Sequence, residues 1–363
     1  MPMGGFTVAA PRYRWQPTSA EIAKRFNLDI RDIVRFDHNT SPFSTDWAPS
    51  IVAPMAQSLN EYPGASYSEI RDAAAGYLGI TDDMVVPGAG IDEIIGLVGR
   101  AFLGKGLRAT AVTPTYPLYE IASAQRQAEF IAVSYGEDFE YPFEAFGEAA
   151  QTSDVTWLCI PNNPTGDRIP DDTISSIIEQ ARGVVGIDAA YAEFSGDDWA
   201  PWIEAYDNLI VAYTMSKAFG LAGLRVGFSV SVPNLADRLD SVRPPGSISS
   251  MSAALASVAL SEPKRMQRHV EGLVKERTRL SDSLSSLGID PRPSSANFLL
   301  CDFGSQAPQI AEVLLTEGLV VRRFPDDHPL VHFLRFTVRA PDENDRLINA
   351  LRQRTSEILP RTP

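Results

Sequence analysis

Between residues 67 and 232, short apolar runs alternate with helical stretches, and this alternation constrains the fold more than any other feature of the chain. A strand that reads as a continuous apolar run needs cover on both faces, and a connecting helix supplies it. The pattern therefore predicts a mainly parallel sheet between two helical layers. The runs at 109–113, 130–134, 155–160, 184–188, 209–214 and 225–232 read as strands, and 91–103, 118–127 and 171–182 as helices. After the breaker Arg243-Pro244-Pro245-Gly246 the pattern changes. Two long helical stretches, 250–260 and 263–287, precede three short strands at 297–302, 319–322 and 333–338 and a closing helix at 343–358. A chain of 363 residues is long for one simple core. The expected division is an N-terminal segment, 1–45, packing on the small unit; a large unit, 46–243; and a smaller α+β unit, 244–363.

Charge narrows the partners. With 32 basic and 46 acidic residues the net charge is −14, which repels nucleic acid and anionic membranes, so neither is expected. The two cysteines, Cys159 and Cys301, fall in apolar runs and read as small core residues. No zinc spacing, signal core or membrane-length apolar run is present, and a cytoplasmic enzyme is the expectation.

The chemistry lies at the ends of the apolar runs. Lys217, in the string Tyr213-Thr214-Met215-Ser216-Lys217-Ala218-Phe219-Gly220-Leu221-Ala222-Gly223-Leu224-Arg225, follows a strand in apolar, glycine-rich surroundings. Alone it reads as a solvated loop lysine; desolvated, its amine becomes a nucleophile. Asp188 ends the preceding strand, where an aspartate often only caps a turn. Together the pair suits an aldehyde cofactor with a pyridine ring: the lysine forms the imine and the acid keeps the ring nitrogen protonated. Asn163, in Pro161-Asn162-Asn163-Pro164-Thr165-Gly166, and Tyr191 stand where they can bind a ring hydroxyl, although the first motif also makes an ordinary turn. Gly88 and Gly90 open the helix at 91, a seat for a phosphate that Ser216 and Arg225 can complete. A glutamate, Glu93, takes the third position of a dinucleotide fingerprint, which argues against a nicotinamide enzyme. Tyr116 is placed to stack on a ring or simply to pack in the core.

In this order and spacing the motifs resemble those of the class I and II aminotransferases, pyridoxal 5'-phosphate (PLP) enzymes of fold type I. The likeness runs from about Asn39 to the C-terminus and is greatest to the histidinol-phosphate aminotransferases. It implies a three-layer α/β PLP-transferase fold with a mainly parallel central sheet and a smaller α+β domain. It also implies that Lys217 holds the cofactor and shuttles a proton, Asp188 pairs with the pyridine nitrogen, and Asn163 and Tyr191 bind the ring hydroxyl. Tyr116 would stack on the ring, and Gly90, Ile91, Asp92, Ser216 and Arg225 would surround the phosphate. Arg335 would clamp the substrate carboxylate or a related anion, Arg322 would meet the far end of the substrate, and Asn39 would lie in the substrate-side loop. Tyr62 would reach the phosphate of a neighbouring subunit, which requires a homodimer with shared active sites. The partners so implied are small amino and keto compounds. Decarboxylation, elimination or replacement, and cyclisation use the same residues and remain alternatives. His38, His328 and His332 have no ligand spacing and read as peripheral.

The string departs from the family pattern at Ala189, in the loop Asn39-Thr40-Ser41-Pro42, and at Arg339, which offers a second anion contact or points to solvent. Asp326 and Asp327 follow Arg322 closely; facing the same pocket, they would favour a cationic substrate over a phosphate.

Overall fold

The computed structural model describes residues 16–358, and the first fifteen residues of the expected N-terminal segment lie outside them. Its strands, in chain order, are β1 (Val34–Arg35), β2 (Val85–Gly88), β3 (Arg108–Thr113), β4 (Glu129–Ser134), β5 (Val155–Cys159) and β6 (Val184–Asp188). There follow β7 (Leu209–Thr214), β8 (Gly227–Ser231), β9 (Phe298–Asp302), β10 (Leu319–Val320), β11 (Arg322–Arg323) and β12 (Phe333–Thr337). The central sheet has the order β2-β8-β7-β6-β5-β3-β4. Strands β3 to β7 run parallel; β8 runs against them, and β2, antiparallel to β8, runs with them again. Strands β6, β7 and β8 are buried along their whole length, as unbroken apolar runs between helical layers require.

Residues 85–88, for which the sequence pattern predicts no strand, form the edge strand β2, a position where a proline is tolerated. The strand expected at 225–232 starts at Gly227, because Arg225 is left-handed (φ 53°) and ends a helical turn.

The sheet order reverses beside β3. The chain continues outward from β3 to β4, then returns to place β5 on the other flank of β3. At such a switch point the loops diverge and leave a crevice at the carboxyl ends of the strands.

A second sheet, β11-β12-β9, is antiparallel throughout. The expected strand at 319–322 divides: Leu319–Val320 pairs with β1, and Arg322–Arg323 turns away to pair with β12. Register places Arg322 and Leu300 on either side of Arg335, so all three side chains share one face. The helix Ser250–Ser261 packs on Ser68–Leu78 beside the central sheet, burying Ala253, Leu255, Ala256 and Leu260. The expected break at 243 precedes this helix. Among the described residues no helix is long and apolar enough to cross a membrane.

Candidate active site

The carboxyl ends of β3, β5, β6 and β7 converge on one cleft, and the expected cofactor residues lie on the loops they feed. Asp188, the last residue of β6, is 2% exposed. Burial raises its carboxyl to about 6, against hydrogen bonds from the Tyr119 hydroxyl (2.6 Å) and the Ala190 N–H (3.1 Å) that favour the charged form. Tyr119 went unnoticed in the sequence. It lies on the helix after β3, stacks on Trp157 at 4.8 Å, and aims its hydroxyl at the acid. No local sequence signal marks it, because the contact spans two crossovers.

Lys217 projects into the same cleft. Its Nζ donates to the His38 carbonyl at 3.0 Å and lies 6.0 Å from the Tyr191 ring. Burial lowers the ammonium to about 8, and the nearby Arg335 pushes the same way while Asp92 and Asp188 oppose. His38, expected to be peripheral, therefore enters the site through its backbone, a role any residue type can fill. Its ring faces elsewhere, 2.8 Å from an Arg35 nitrogen.

The expected anion seat is built from close backbone approach. Gly90 is left-handed (φ 81°), and a Cβ there would come within 2.8 Å of the Arg225 guanidinium. A Cβ on Gly227 would meet the Gly90–Ile91 backbone at 2.8 Å, so the helix Ile91–Phe102 can start against β8 only because that residue is glycine. The N–H groups of Ile91 and Asp92 open this helix, where no intrahelical acceptor serves them. Thr214 donates its hydroxyl to Ser216 Oγ at 3.0 Å, which leaves the Ser216 proton to donate onward. The Asp92 carboxylate is committed elsewhere: it accepts from Tyr116 Oη (2.7 Å) and Arg225 Nη2 (2.8 Å), fixing both groups at the seat.

The opposite wall comes from the second sheet. Arg335 is buried; its Nη1 donates to Asn163 Oδ1 and its Nη2 to the Asp37 carbonyl at 2.7 Å. With its oxygen so engaged, Asn163 keeps its amide nitrogen as the donor end. Asn39 donates from Nδ2 to Tyr191 Oη at 2.9 Å and is held by Thr337 and Asn297, so the tyrosine keeps its own proton to donate. Arg322 stands beside Arg335, and its side chain makes no hydrogen bond or ion pair among the described residues. Asp326 pairs instead with Arg323 at 2.6 Å, whose side chain leaves the other face of β11. Arg339 does neither thing expected of it: it forms a two-pronged ion pair with Glu343 and donates to the Thr40 carbonyl. Tyr62 is 96% exposed and joins none of these groups within its own chain. Cys301 is fully buried in the core, and Cys159 lies partly buried at the end of β5; burial raises both thiols.

A buried acid facing an amine of lowered basicity, an amide and a phenol with protons to donate, and a glycine-lined helix start form a donor set that suits a phosphorylated pyridine aldehyde. The family model for aminotransferase class I and II matches residues 31–351, which span this whole arrangement. The chain belongs to that family. This aminotransferase is 38% identical over 336 residues to the histidinol-phosphate aminotransferase of Caldanaerobacter subterraneus subsp. tengcongensis, covering 90% of this chain and 95% of that protein. Its fold matches the histidinol-phosphate aminotransferase of Sinorhizobium meliloti in complex with pyridoxal-5'-phosphate, with TM-score 0.85, 25% identity, and 94% and 96% of the two chains covered. It also matches the L-threonine-O-3-phosphate decarboxylase of Porphyromonas gingivalis, with TM-score 0.78, 22% identity, and 88% and 99% covered, a likeness of fold alone.

Proposed function

We propose that this aminotransferase uses PLP to move an amino group between an amino donor bearing a distal anion and a keto acid, in the manner of a histidinol-phosphate aminotransferase. The observation that carries the reading is the arginine pair. Arg322 and Arg335 are direct cross-strand neighbours, an arrangement that repels itself unless an anion lies between or beside the two. The nearby carboxylate of Asp326 is neutralised by Arg323 and does not compete. A phosphate or carboxylate fits such a site better than a cationic side chain does.

Bound PLP supplies an aldehyde and a ring that withdraws electrons. The chain supplies the rest. Lys217 Nζ, neutral in an appreciable fraction near pH 8, is the base that takes the proton from the substrate α-carbon and returns it elsewhere. The Asp188 carboxylate holds a proton on the pyridine nitrogen across a charge-assisted hydrogen bond. Asn163 and Tyr191 donate to the ring hydroxyl, and Gly90, Ile91, Asp92 N–H, Ser216 and Arg225 seat the phosphate. Tyr116, tied to Asp92, lies against the ring face. Asn39 orients Tyr191. We assign the cofactor to the large unit, from residue 46 through the helix ending at Ser261, and the substrate anion to the remainder with the N-terminal segment. A homodimer is part of the reading: the apolar helix Ala48–Met55 fully buries none of its side chains, and Leu59 and Tyr62 stand exposed next to it. Two unpaired cysteines suit the cytoplasm.

The test is a screen of single half-reactions with histidinol phosphate, aromatic and basic amino acids, with borohydride trapping of the cofactor on Lys217 carried out on a separate portion of the enzyme. Histidinol phosphate is expected to release its keto product fastest. Carbon dioxide in place of a keto product, or no product from any donor, refutes transamination.

A further inference from the structure

We propose that Phe139 is a positioning residue for Arg335, an aromatic clasp that fixes the second sheet at the separation which brings the guanidinium to the lysine cleft. The proposal rests on the reading of Arg335 as the grip for a substrate anion.

The chain leaves β4 at Ser134 and makes a tight turn in which Asp138 (φ 52°) and Phe139 (φ 63°) are both left-handed. For a bulky residue that conformation persists only where the surroundings hold it. The surroundings here come from the other sheet. The Phe139 ring meets Phe333 edge-on at 5.5 Å, and the Arg292 guanidinium lies 3.9 Å above its centroid. Arg292 Nε is buried with no hydrogen-bond acceptor among the described residues, and the aromatic face receives the guanidinium instead. Phe139 and Phe333 pack on a small apolar cluster of Leu300, Phe324 and Leu330, separate from the main core. Phe333 precedes Arg335 by two residues on β12 and shares its face, and Leu300 is the cross-strand partner of Arg335. Phe139 thus packs against Phe333, a neighbour of Arg335 on the face that bears the guanidinium, and against the cluster that contains Leu300, its cross-strand partner.

The other end of the turn leads back to the same arginine. The Tyr135 hydroxyl accepts from Asn162 Nδ2 at 3.3 Å and donates to Asp167 at 3.0 Å. Asn162 also binds the Pro114 carbonyl and the Thr115 and Thr165 hydroxyls, holding the loops of Tyr116 and Asn163 together. Asn163 in turn accepts from Arg335. Contacts therefore close a ring from Arg335 through Asn163, Asn162, Tyr135, Phe139 and Phe333 back to Arg335. Removing the Phe139 side chain opens the ring at one point. A separate tie from Ser295 N–H to the Gly166 carbonyl (2.7 Å) keeps the two parts of the chain in contact.

The test compares the holoenzyme with Phe139→Ala, Phe139→Tyr and Arg292→Leu. Phe139→Ala is expected to raise KM for the amino donor, and the dissociation constant of inorganic phosphate by calorimetry, about tenfold or more, as a misplaced clamp does. It should leave kcat at saturation within about twofold, and PLP affinity and absorbance should hold, because the groups proposed to bind PLP stand on loops of the central sheet. Phe139→Tyr should restore KM, and Arg292→Leu should move it the same way by about two- to fivefold, the size of a lost cation–π contact. Unchanged KM and phosphate affinity in Phe139→Ala would overturn the proposal. A parallel loss of PLP affinity would also overturn it, since the ring would then merely stiffen the whole chain. A wild-type enzyme that performs no half-reaction refutes transamination instead, and the phosphate titration still reads the clasp.

Discussion

At the residue scale, the site turns on how far burial moves two titrations. Lys217 titrates near 8 because its surroundings replace water and because Arg335 stands close. Its folded value lies below the ordinary value of 10.5, so the folded chain binds this proton less tightly than the unfolded chain does. Its contribution to the stability of the cofactor-free protein therefore increases as pH rises from about 8 to 10.5. In the cofactor-free protein, acylation of Lys217 followed by mass spectrometry should be half-maximal near pH 8, well below an ordinary surface lysine. Arg335→Leu should move that midpoint upward, because a repelling charge is gone; a downward shift or none would show that the arginine does not act on the amine. Lys217 and Asp188 were legible in the sequence because each follows an apolar run and the two runs are consecutive strands. Tyr119 and the His38 carbonyl were not, since one reaches Asp188 from a helix 69 residues earlier in the chain and the other has no side-chain signature.

At the element scale, the strands of the parallel sheet were legible because burial on both faces demands unbroken apolar runs, as in Leu209–Thr214. What escaped was set by partners rather than by local pattern. Val85–Gly88 is a strand only because β8 lies beside it, and 319–323 splits only because two different sheets claim its halves. The same dependence on partners fixes the anion seat. Gly227 sits where the helix Ile91–Phe102 starts against β8, and an added Cβ would lie 2.7 Å from the Tyr213 carbonyl and 2.8 Å from the Gly90–Ile91 backbone. Backbone cannot step aside as a flexible side chain can. Gly227→Ala is therefore expected to cost about 1–3 kcal/mol, read as a lowered urea midpoint, and to weaken cofactor binding together with stability. An alanine variant as stable as the wild type would mean that the helix start is not pinned by this contact. By contrast, Gly223, whose added Cβ meets nothing within 4 Å, makes the matched control.

At the scale of the whole molecule, the proposed site calls for a residue from a second chain. Tyr62 is 96% exposed, Leu59 is exposed beside it, and the helix Ala48–Met55 fully buries no side chain although its sequence is apolar. A two-fold pair of chains would cover this surface and carry each Tyr62 to the other chain's phosphate seat, which self-complementary interfaces allow. Subunit mixing tests this directly. Lys217→Ala chains lack the amine, and Tyr62→Ala chains lose a hydrogen bond to a charged group, a loss of about 1.5–3 kcal/mol that empties the site at limiting PLP. In a hybrid of the two, one site receives Lys217 from one chain and Tyr62 from the other, and is intact; the second site lacks both. Random reassociation of equal amounts should therefore restore about a quarter of wild-type activity, where each parent alone has little. Recovery depends on Tyr62 crossing between chains. If Tyr62 served its own chain, every hybrid would contain only sites missing one group, and mixing would leave activity at the average of the parents. Concentration dependence separates this from simple carry-over, because hybrids form only where dimers exchange.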